Sequence, residues 1–178
     1  MRMTILTAVT LAAVAGCAAP APPPVAAPPP PPIAVPVIPS PYRGDWIDWP
    51  LTPGDWSYTQ TAAGTLASFG VAGRAPEFAM RCDPAQRRVT LERPGRLDAG
   101  RAATMTLRAS AGQMSYPVAN VAVAGAAPSV AATLAATDPQ LDRLVFSRGR
   151  FVVETAGAPL PLVLPAWPEI ARVIEDCR

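Results

Sequence analysis

FAMRCDPAQRRVTLER, residues 78–93, predicts a β-hairpin that decides the fold of this chain. Phe78, Met80 and Cys82 alternate with small or charged residues, as do Val89 and Leu91, so each segment presents one apolar face. Asp-Pro-Ala-Gln at 83–86 connects them, with proline at its favoured second turn position. We therefore predict antiparallel strands over residues 76–82 and 87–93.

The hairpin is flanked by further strand signals and then by two helices. Strands are predicted at 56–62, 65–71 and 103–109, with one or two more in 113–123; residues 129–136 suit a strand or, almost as well, a helix. Asp138 and Pro139 begin a short helix that ends near residues 147–149. A closing hairpin is then predicted from strands at 150–155 and 160–164. Glu169 opens and caps the last helix. The prediction is an α+β fold, mostly antiparallel and sandwich-like, with a C-terminal capping helix, forming a single globular domain over 42–178.

The first 17 residues have the pattern of an export signal. Arg2 is followed by an apolar run over 5–14, too short to span a bilayer. Val14-Ala15-Gly16-Cys17 then resembles the lipobox of bacterial lipoproteins. That resemblance implies a signal peptide over 1–16 and a diacylglyceryl group on the thiol of Cys17; the alternative is an ordinary signal with a chance cysteine. Ala18, in place of Asp, resembles the pattern of lipoproteins sent to the outer membrane.

Proline dominates the segment that follows the lipobox. Residues 18–41 hold 12 of the 24 prolines, a composition that favours extended polyproline II. At about 3.1 Å per residue, such a segment reaches on the order of 75 Å. We predict a semi-rigid tether over 17–41 between the membrane and the domain.

If Cys17 is lipidated, two of the three cysteines are left in a compartment where disulfides persist. Cys82 lies on the apolar face of its predicted strand, and Cys177 continues the helical stripe of Ile170, Val173 and Ile174. Because both sulfurs point toward the core, we predict a bridge between them; two separate buried thiols are the alternative.

Composition removes several classes of chemistry. There is no histidine, and all 15 basic residues are arginine. Ser-His-Asp and Cys-His sets, histidine-bearing zinc sites and lysine Schiff bases are thereby excluded, and no motif for a phosphate loop, a Ca²⁺ loop or a CxxC centre occurs. A net charge of +2 argues against a nucleic-acid partner. We expect no enzymatic activity, cofactor or metal site, although carboxylate pairs such as Asp138/Asp142 and Glu169/Glu175 remain conceivable as acid and base.

Two segments are candidate contact sites. Ser147, Arg148 and Arg150, grouped around a glycine, suit an anion contact, with a solvated turn as the alternative. Trp46 and Trp49 suit a partner surface, or instead clip the start of the domain onto its core.

The folded part resembles, in a general way, uncharacterised lipoproteins of Gram-negative bacteria that end in an apolar helix with a near-terminal cysteine, and this likeness rests mainly on residues 144–150 and 167–178. That likeness implies no activity. We expect a non-catalytic, lipid-anchored cell-envelope protein, placed in the outer membrane with its domain in the periplasm. It would act as a structural or interaction module whose partners are the membrane, through the lipid, and an envelope protein or cell-wall material. The alternative is an inhibitor or binder of a periplasmic enzyme such as a cell-wall hydrolase. The oligomeric state is left open.

Overall fold

The computed structural model describes residues 42–98, 100, 102–121, 127–156, 158 and 160–178. The predicted signal peptide, Cys17 and the whole of the predicted proline-rich tether (17–41) therefore lie outside the described residues. In chain order the strands are β1 (Asp55–Thr61), β2 (Gly64–Gly70), β3 (Phe78–Asp83), β4 (Arg88–Pro94), β5 (Thr104–Ala109), β6 (Gly112–Pro117), β7 (Ala119–Val121), β8 (Ser129–Ala135), β9 (Arg150–Thr155) and β10 (Leu162–Pro165). The helices are α1 (Pro139–Val145) and α2 (Pro168–Asp176), preceded by a 3₁₀ turn at Trp46–Asp48.

These strands form two antiparallel sheets, which confirms the predicted mostly antiparallel, sandwich-like α+β fold. The larger sheet has the order β1-β2-β3-β4-β8-β7 and the smaller one the order β10-β9-β5-β6. Residues 129–135, for which a helix was the alternative, form β8, which pairs with β4 along its whole length.

The core lies between the inward faces of the sheets and beneath the two helices. It is formed by buried side chains of the larger sheet (Trp56, Ala67, Phe69, Phe78, Met80, Cys82, Val89, Leu91, Ala132, Leu134), of the smaller sheet (Met105, Leu107, Ala109, Phe151, Val153, Leu162, Leu164) and of the helices (Leu141, Leu144, Ile170, Val173, Ile174). Alternation along each strand sends every second side chain inward, which is why the period-2 pattern predicted these strands.

Trp56 joins the edges of the two sheets. Its ring lies 5.3 Å from that of Phe69 and 6.5 Å from that of Phe151, which belong to opposite sheets. Its Nε1–H donates a buried hydrogen bond of 2.9 Å to the carbonyl of Pro165 at the end of β10. One side chain thus supplies both apolar contact and a fixed polar link between edge strands.

The predicted disulfide is confirmed. Cys82 and Cys177 are bonded, with their Cα atoms 5.4 Å apart across a sequence separation of 95 residues. The bridge fixes the end of α2 to the middle of the larger sheet. Nearby, the hydroxyl of Tyr58 donates to Asp176 at 2.6 Å, and the guanidinium of Arg172 lies 4.0 Å from the Tyr58 ring, so α2 is also held to β1.

The helix starts differ from each other in how they are capped. Asp138 caps α1 as predicted, since its carboxylate accepts from the backbone N–H of Gln140 at 2.8 Å. Glu169 was expected to cap α2, and that expectation is wrong. Trp167 is the N-cap of α2, and it makes no side-chain capping bond because an indole has no acceptor atom. Pro168 occupies the first helical position, so Glu169 lies inside the first turn.

Candidate functional site

The loop after α1 carries the most exposed large apolar side chain of the described residues. Helix α1 ends at Val145, and Phe146 follows as its C-cap. The Phe146 side chain is 79% exposed, whereas Leu141 and Leu144 of the same helix are fully buried. Phe146 falls outside the i, i+3 stripe that these leucines define, so the helix turns it away from the core.

The backbone beyond Phe146 is fixed by hydrogen bonds of two serines. The buried hydroxyl of Ser147 accepts from the backbone N–H of Ser110 at 3.0 Å and donates to the carbonyl of Arg150. The hydroxyl of Ser110 in turn accepts from the N–H of Arg148 at 3.2 Å. The loop is thus tied to the turn between β5 and β6, and its conformation is set before any partner arrives.

The three residues predicted as an anion contact have separate roles in this loop. The hydroxyl of Ser147 is engaged in the backbone hydrogen bonds just described, and Arg150 donates from Nη1 to the carbonyl of Trp49 at 2.7 Å. Arg148 is exposed. Only Arg148 therefore presents its guanidinium to solvent in the way that the predicted contact requires, and the anion contact itself stays a prediction.

A second exposed aromatic residue belongs to the same region. Trp167 is 42% exposed at the start of α2. The N–H of the preceding Ala166 donates to the carbonyl of Gly149 at 3.2 Å, so the segment before α2 runs beside the loop. We call Phe146, Arg148 and Trp167 the Phe146 surface. Aromatic residues and arginine are the types that dominate binding energy in protein interfaces.

The other predicted contact segment, at Trp46 and Trp49, is partly buried. Trp46 and Trp49 are both only half-exposed. The ring of Trp49 meets that of Tyr42 edge-on at 5.3 Å, and the guanidinium of Arg108 on β5 lies 6.0 Å from the Trp49 ring. A few residues on, the backbone N–H of Thr52 donates to the carbonyl of Val163 at 2.9 Å. For Trp49, this is the arrangement expected if its ring clips the start of the domain onto its fold, whereas no ring contact of Trp46 is seen among the described residues.

Three of the four acids considered for catalysis are engaged by other side chains, whereas Oε2 of Glu169 is buried with no hydrogen-bond partner among the described residues. Asp138 accepts from Tyr116 at 2.8 Å, and burial, followed by that hydrogen bond, raises the pKa of Tyr116 above its ordinary value. Arg178 bridges Asp142 at 2.6 Å and Glu175 at 3.3 Å. These carboxylates therefore serve to hold α1, α2 and β6 together.

Sequence reasoning missed Phe146 and Trp167 as surface residues. A signal was present for each. Phe146 lies off the apolar stripe of its helix, and Trp167 stands between Pro165 and Pro168, where neither strand nor helix can direct it inward. The residue at which a helix ends is hard to predict to within one position, and that position decides whether Phe146 is buried or exposed.

Within the described residues, no helix is both long enough and apolar enough to cross a membrane. The same residues contain no group of three or more cysteine or acidic side chains arranged to hold a metal ion. Comparison of the chain with protein-family models gives no match, and comparisons with curated proteins and with solved structures give none either.

Proposed function

We propose that this protein is a lipid-anchored, non-catalytic interaction module of the cell envelope that binds a partner protein through the Phe146 surface. Cys17 carries the lipid, which anchors the protein in the outer membrane. Residues 18–41 form the tether, and the domain lies in the periplasm. The observation that carries the proposal is the exposure of Phe146, at 79%, on a loop whose backbone is already fixed.

The energetics of Phe146 favour a binding role. Full burial of a phenylalanine side chain stabilises by about 1.5–3 kcal/mol relative to leaving it exposed. The domain buries three other phenylalanines completely, Phe69, Phe78 and Phe151, so exposure of the fourth is a feature of this one position. A partner that covers the ring gains that apolar contact, and the fixed loop lowers the entropic cost of ordering it.

The positive charge of Arg148 indicates what the partner should present to this surface. Arg148 adds an exposed arginine two residues after Phe146 in the chain, and a guanidinium pairs best with a planar carboxylate. The partner is therefore expected to present an apolar pocket with an acidic residue at its rim. Such a pocket belongs to a protein more readily than to a glycan strand of the cell wall.

The test is crosslinking in the native envelope followed by mass spectrometry of what is recovered with the protein. We expect one dominant partner with the wild type and with Val71→Ala, a matched control at another exposed apolar residue. Phe146→Ala should reduce recovery by about tenfold or more if Phe146 is an interface hot spot. Recovery of cell-wall fragments alone, or equal recovery with Phe146→Ala, would contradict the proposal and favour a purely structural tethered role.

An inhibitor of a periplasmic enzyme, such as a cell-wall hydrolase, is the second candidate. It is favoured by one observation, the fixed loop at Phe146, because inhibitors gain affinity from a segment that is ordered before binding. The two functions differ in the effect of binding. If the recovered partner is a hydrolase, addition of the purified protein should lower its activity, whereas a scaffold would leave the activity unchanged.

A further inference from the structure

Two valines on the outward face of the smaller sheet are shielded from water. Val152 on β9 pairs in register with Val163 on β10 and with Arg108 on β5. Because their neighbours along each strand point into the core, alternation directs these three side chains away from it. Both valines are nevertheless completely buried, and neither belongs to the core between the sheets. Another segment of the chain therefore covers this face.

Residues 42–52, which we call the strap, cross this face. At β5, the ring of Trp49 lies 6.0 Å from the guanidinium of Arg108. At β9, the carbonyl of Trp49 accepts a hydrogen bond of 2.7 Å from Nη1 of Arg150. The strap then reaches the free edge of β10, where the backbone N–H of Thr52 donates to a strand carbonyl at 2.9 Å. It thus spans three neighbouring strands and covers the valines between its attachment points.

The strap covers the valines without adding to the core of the domain. No residue from 42 to 54 is buried as a whole, and the first core residue along the chain is Trp56. Nε1 of Trp49 is buried with no hydrogen-bond partner among the described residues, a cost that is removed when the indole is hydrated. A segment with few buried contacts opens at a lower free energy than the sheet beneath it.

The contacts of the strap follow one another in chain order from its N-terminal end. Tyr42 is the first residue; its ring meets that of Trp49 at 5.3 Å, and it also interacts electrostatically with Arg93 of β4. Trp49 and its bond to β9 come next, and Thr52 at β10 is last. A pull on the chain before residue 42 therefore loads these contacts one after another, and contacts loaded in sequence separate more easily than contacts loaded together.

Release of the strap ends at a strong anchor. The indole of Trp56, at the start of β1, packs against rings of both sheets, and its Nε1–H donates a buried hydrogen bond of 2.9 Å to the carbonyl of Pro165. A pull that continues past Thr52 must break that bond and move a core side chain. The strap is therefore able to leave the smaller sheet while β1 and both sheets stay in place.

We propose that the strap is a releasable segment, which leaves the smaller sheet under tension and lets the domain move away from its anchor without unfolding. This inference rests on the proposed anchoring, since the lipid and the tether supply the pull. The strap holds a contour length of about 36 Å at about 3.3 Å per residue. Its release uncovers Val152 and Val163 and frees the N–H and carbonyl of Val163 at the β10 edge.

Hydrogen exchange of the full-length protein in detergent micelles, followed by mass spectrometry, tests release without force. The peptide that contains Thr52 is compared with one from β9 at several urea concentrations below the unfolding transition. We expect the Thr52 amide to exchange at least about 100-fold faster than the β9 amides, with little dependence on urea, because local opening exposes little surface. Equal rates with equal urea dependence would overturn the proposal, and so would a Thr52 amide that has no protection at all.

Two variants of the strap connect this opening to its contacts. Trp49→Ala removes the ring that contacts Tyr42 and Arg108, and it should speed exchange of the Thr52 amide by about tenfold. Leu51→Ala is the matched control, because the Leu51 side chain is already 45% exposed, and it should leave that rate unchanged. Unchanged exchange in Trp49→Ala would contradict the proposal; if that variant fails to fold, the urea series on the wild type decides.

Single-molecule pulling between the two ends of the full-length chain measures the release itself. We expect a first lengthening of no more than about 36 Å, at a lower force than the unfolding of the sheets, and a still lower force in Trp49→Ala. A single rupture with no earlier step would overturn the proposal. These measurements involve neither the lipid, nor the envelope, nor Phe146, so failure here is distinguishable from failure of the proposed function.

Discussion

Removal of the Cys82–Cys177 disulfide should substantially lower the free energy of unfolding of this domain. The bridge connects β3 to the residue after α2, and both Cys82 and Cys177 are almost completely buried. We predict that the double variant Cys82→Ala/Cys177→Ala unfolds at lower urea concentration than the oxidised wild type. Replacement of both residues avoids leaving one reactive thiol in the core.

The magnitude follows from the length of chain that the bridge closes. For a sequence separation of 95 residues, the chain-entropy model gives a loss of about 4.7 kcal/mol at 25 °C. That figure is an upper value, since a compact unfolded state has less entropy to gain. For a domain of this size the same loss corresponds to a fall in Tm of about 10–20 °C.

Urea unfolding, followed by tryptophan fluorescence, measures the effect, because Trp56 is buried in the folded core. The full-length proteins are compared in the same detergent, with and without dithiothreitol. Dithiothreitol should bring the wild type close to the double variant and should leave the double variant unchanged, which makes that variant its own control. A loss below about 1 kcal/mol, well under the entropic figure, would refute the claim that the bridge limits the unfolded chain.

Three further changes test other parts of the structure. Trp56→Phe removes the donor to Pro165, and urea unfolding should show a loss of about 1–3 kcal/mol; a loss under about 0.5 kcal/mol would mean that the link contributes nothing. The pKa of Tyr116 is raised in the folded state, so its protonated hydroxyl stabilises the fold fully below about pH 10, and this stabilisation is lost as the pH rises further. Unfolding midpoints at about pH 9 and pH 11 should thus differ less in Tyr116→Phe than in the wild type, and equal differences would contradict this. Cys17→Ser should abolish metabolic labelling with a fatty acid and membrane attachment; label that persists in the variant would disprove lipidation at Cys17.

Local patterns were sufficient to predict most elements of the fold. Alternation at Phe78, Met80 and Cys82 depends only on the strand's own geometry, and all three side chains are buried as expected. Asp138 followed by Pro139 marks a helix start that needs no tertiary information. The inward phases of Cys82 and Cys177, together with the cysteine count and the predicted compartment, favoured the bond that the structure contains over two separate thiols.

The division into two sheets was beyond local reasoning. Strand β4 pairs with β8, although three other strands intervene in the chain, and β5 and β6 belong to the smaller sheet. Nothing in a strand's own sequence states which distant strand will accept its hydrogen bonds. The same limit applies to Ser147, whose hydroxyl is engaged by Ser110, 37 residues away. A serine beside two arginines suggested an anion contact because that distant partner was not visible.

Arg93 shows a conflict between two sequence signals. The alternation of Val89 and Leu91 places residue 93 inward, whereas a positive charge is expected to stay in water. In the structure the Arg93 side chain follows the strand alternation and is buried, and its Nη2 donates to the carbonyl of Leu160.

Site-specific photo-crosslinking tests the proposed interaction most directly. A photoreactive phenylalanine analogue is placed at Phe146 in the full-length protein, expressed in its native envelope, and the same analogue is placed at Thr59, an exposed residue of β1, as a control. We predict one dominant protein adduct from position 146 and none of that mass from position 59. Adducts that are absent at position 146, or the same at both positions, would contradict a partner surface centred on Phe146.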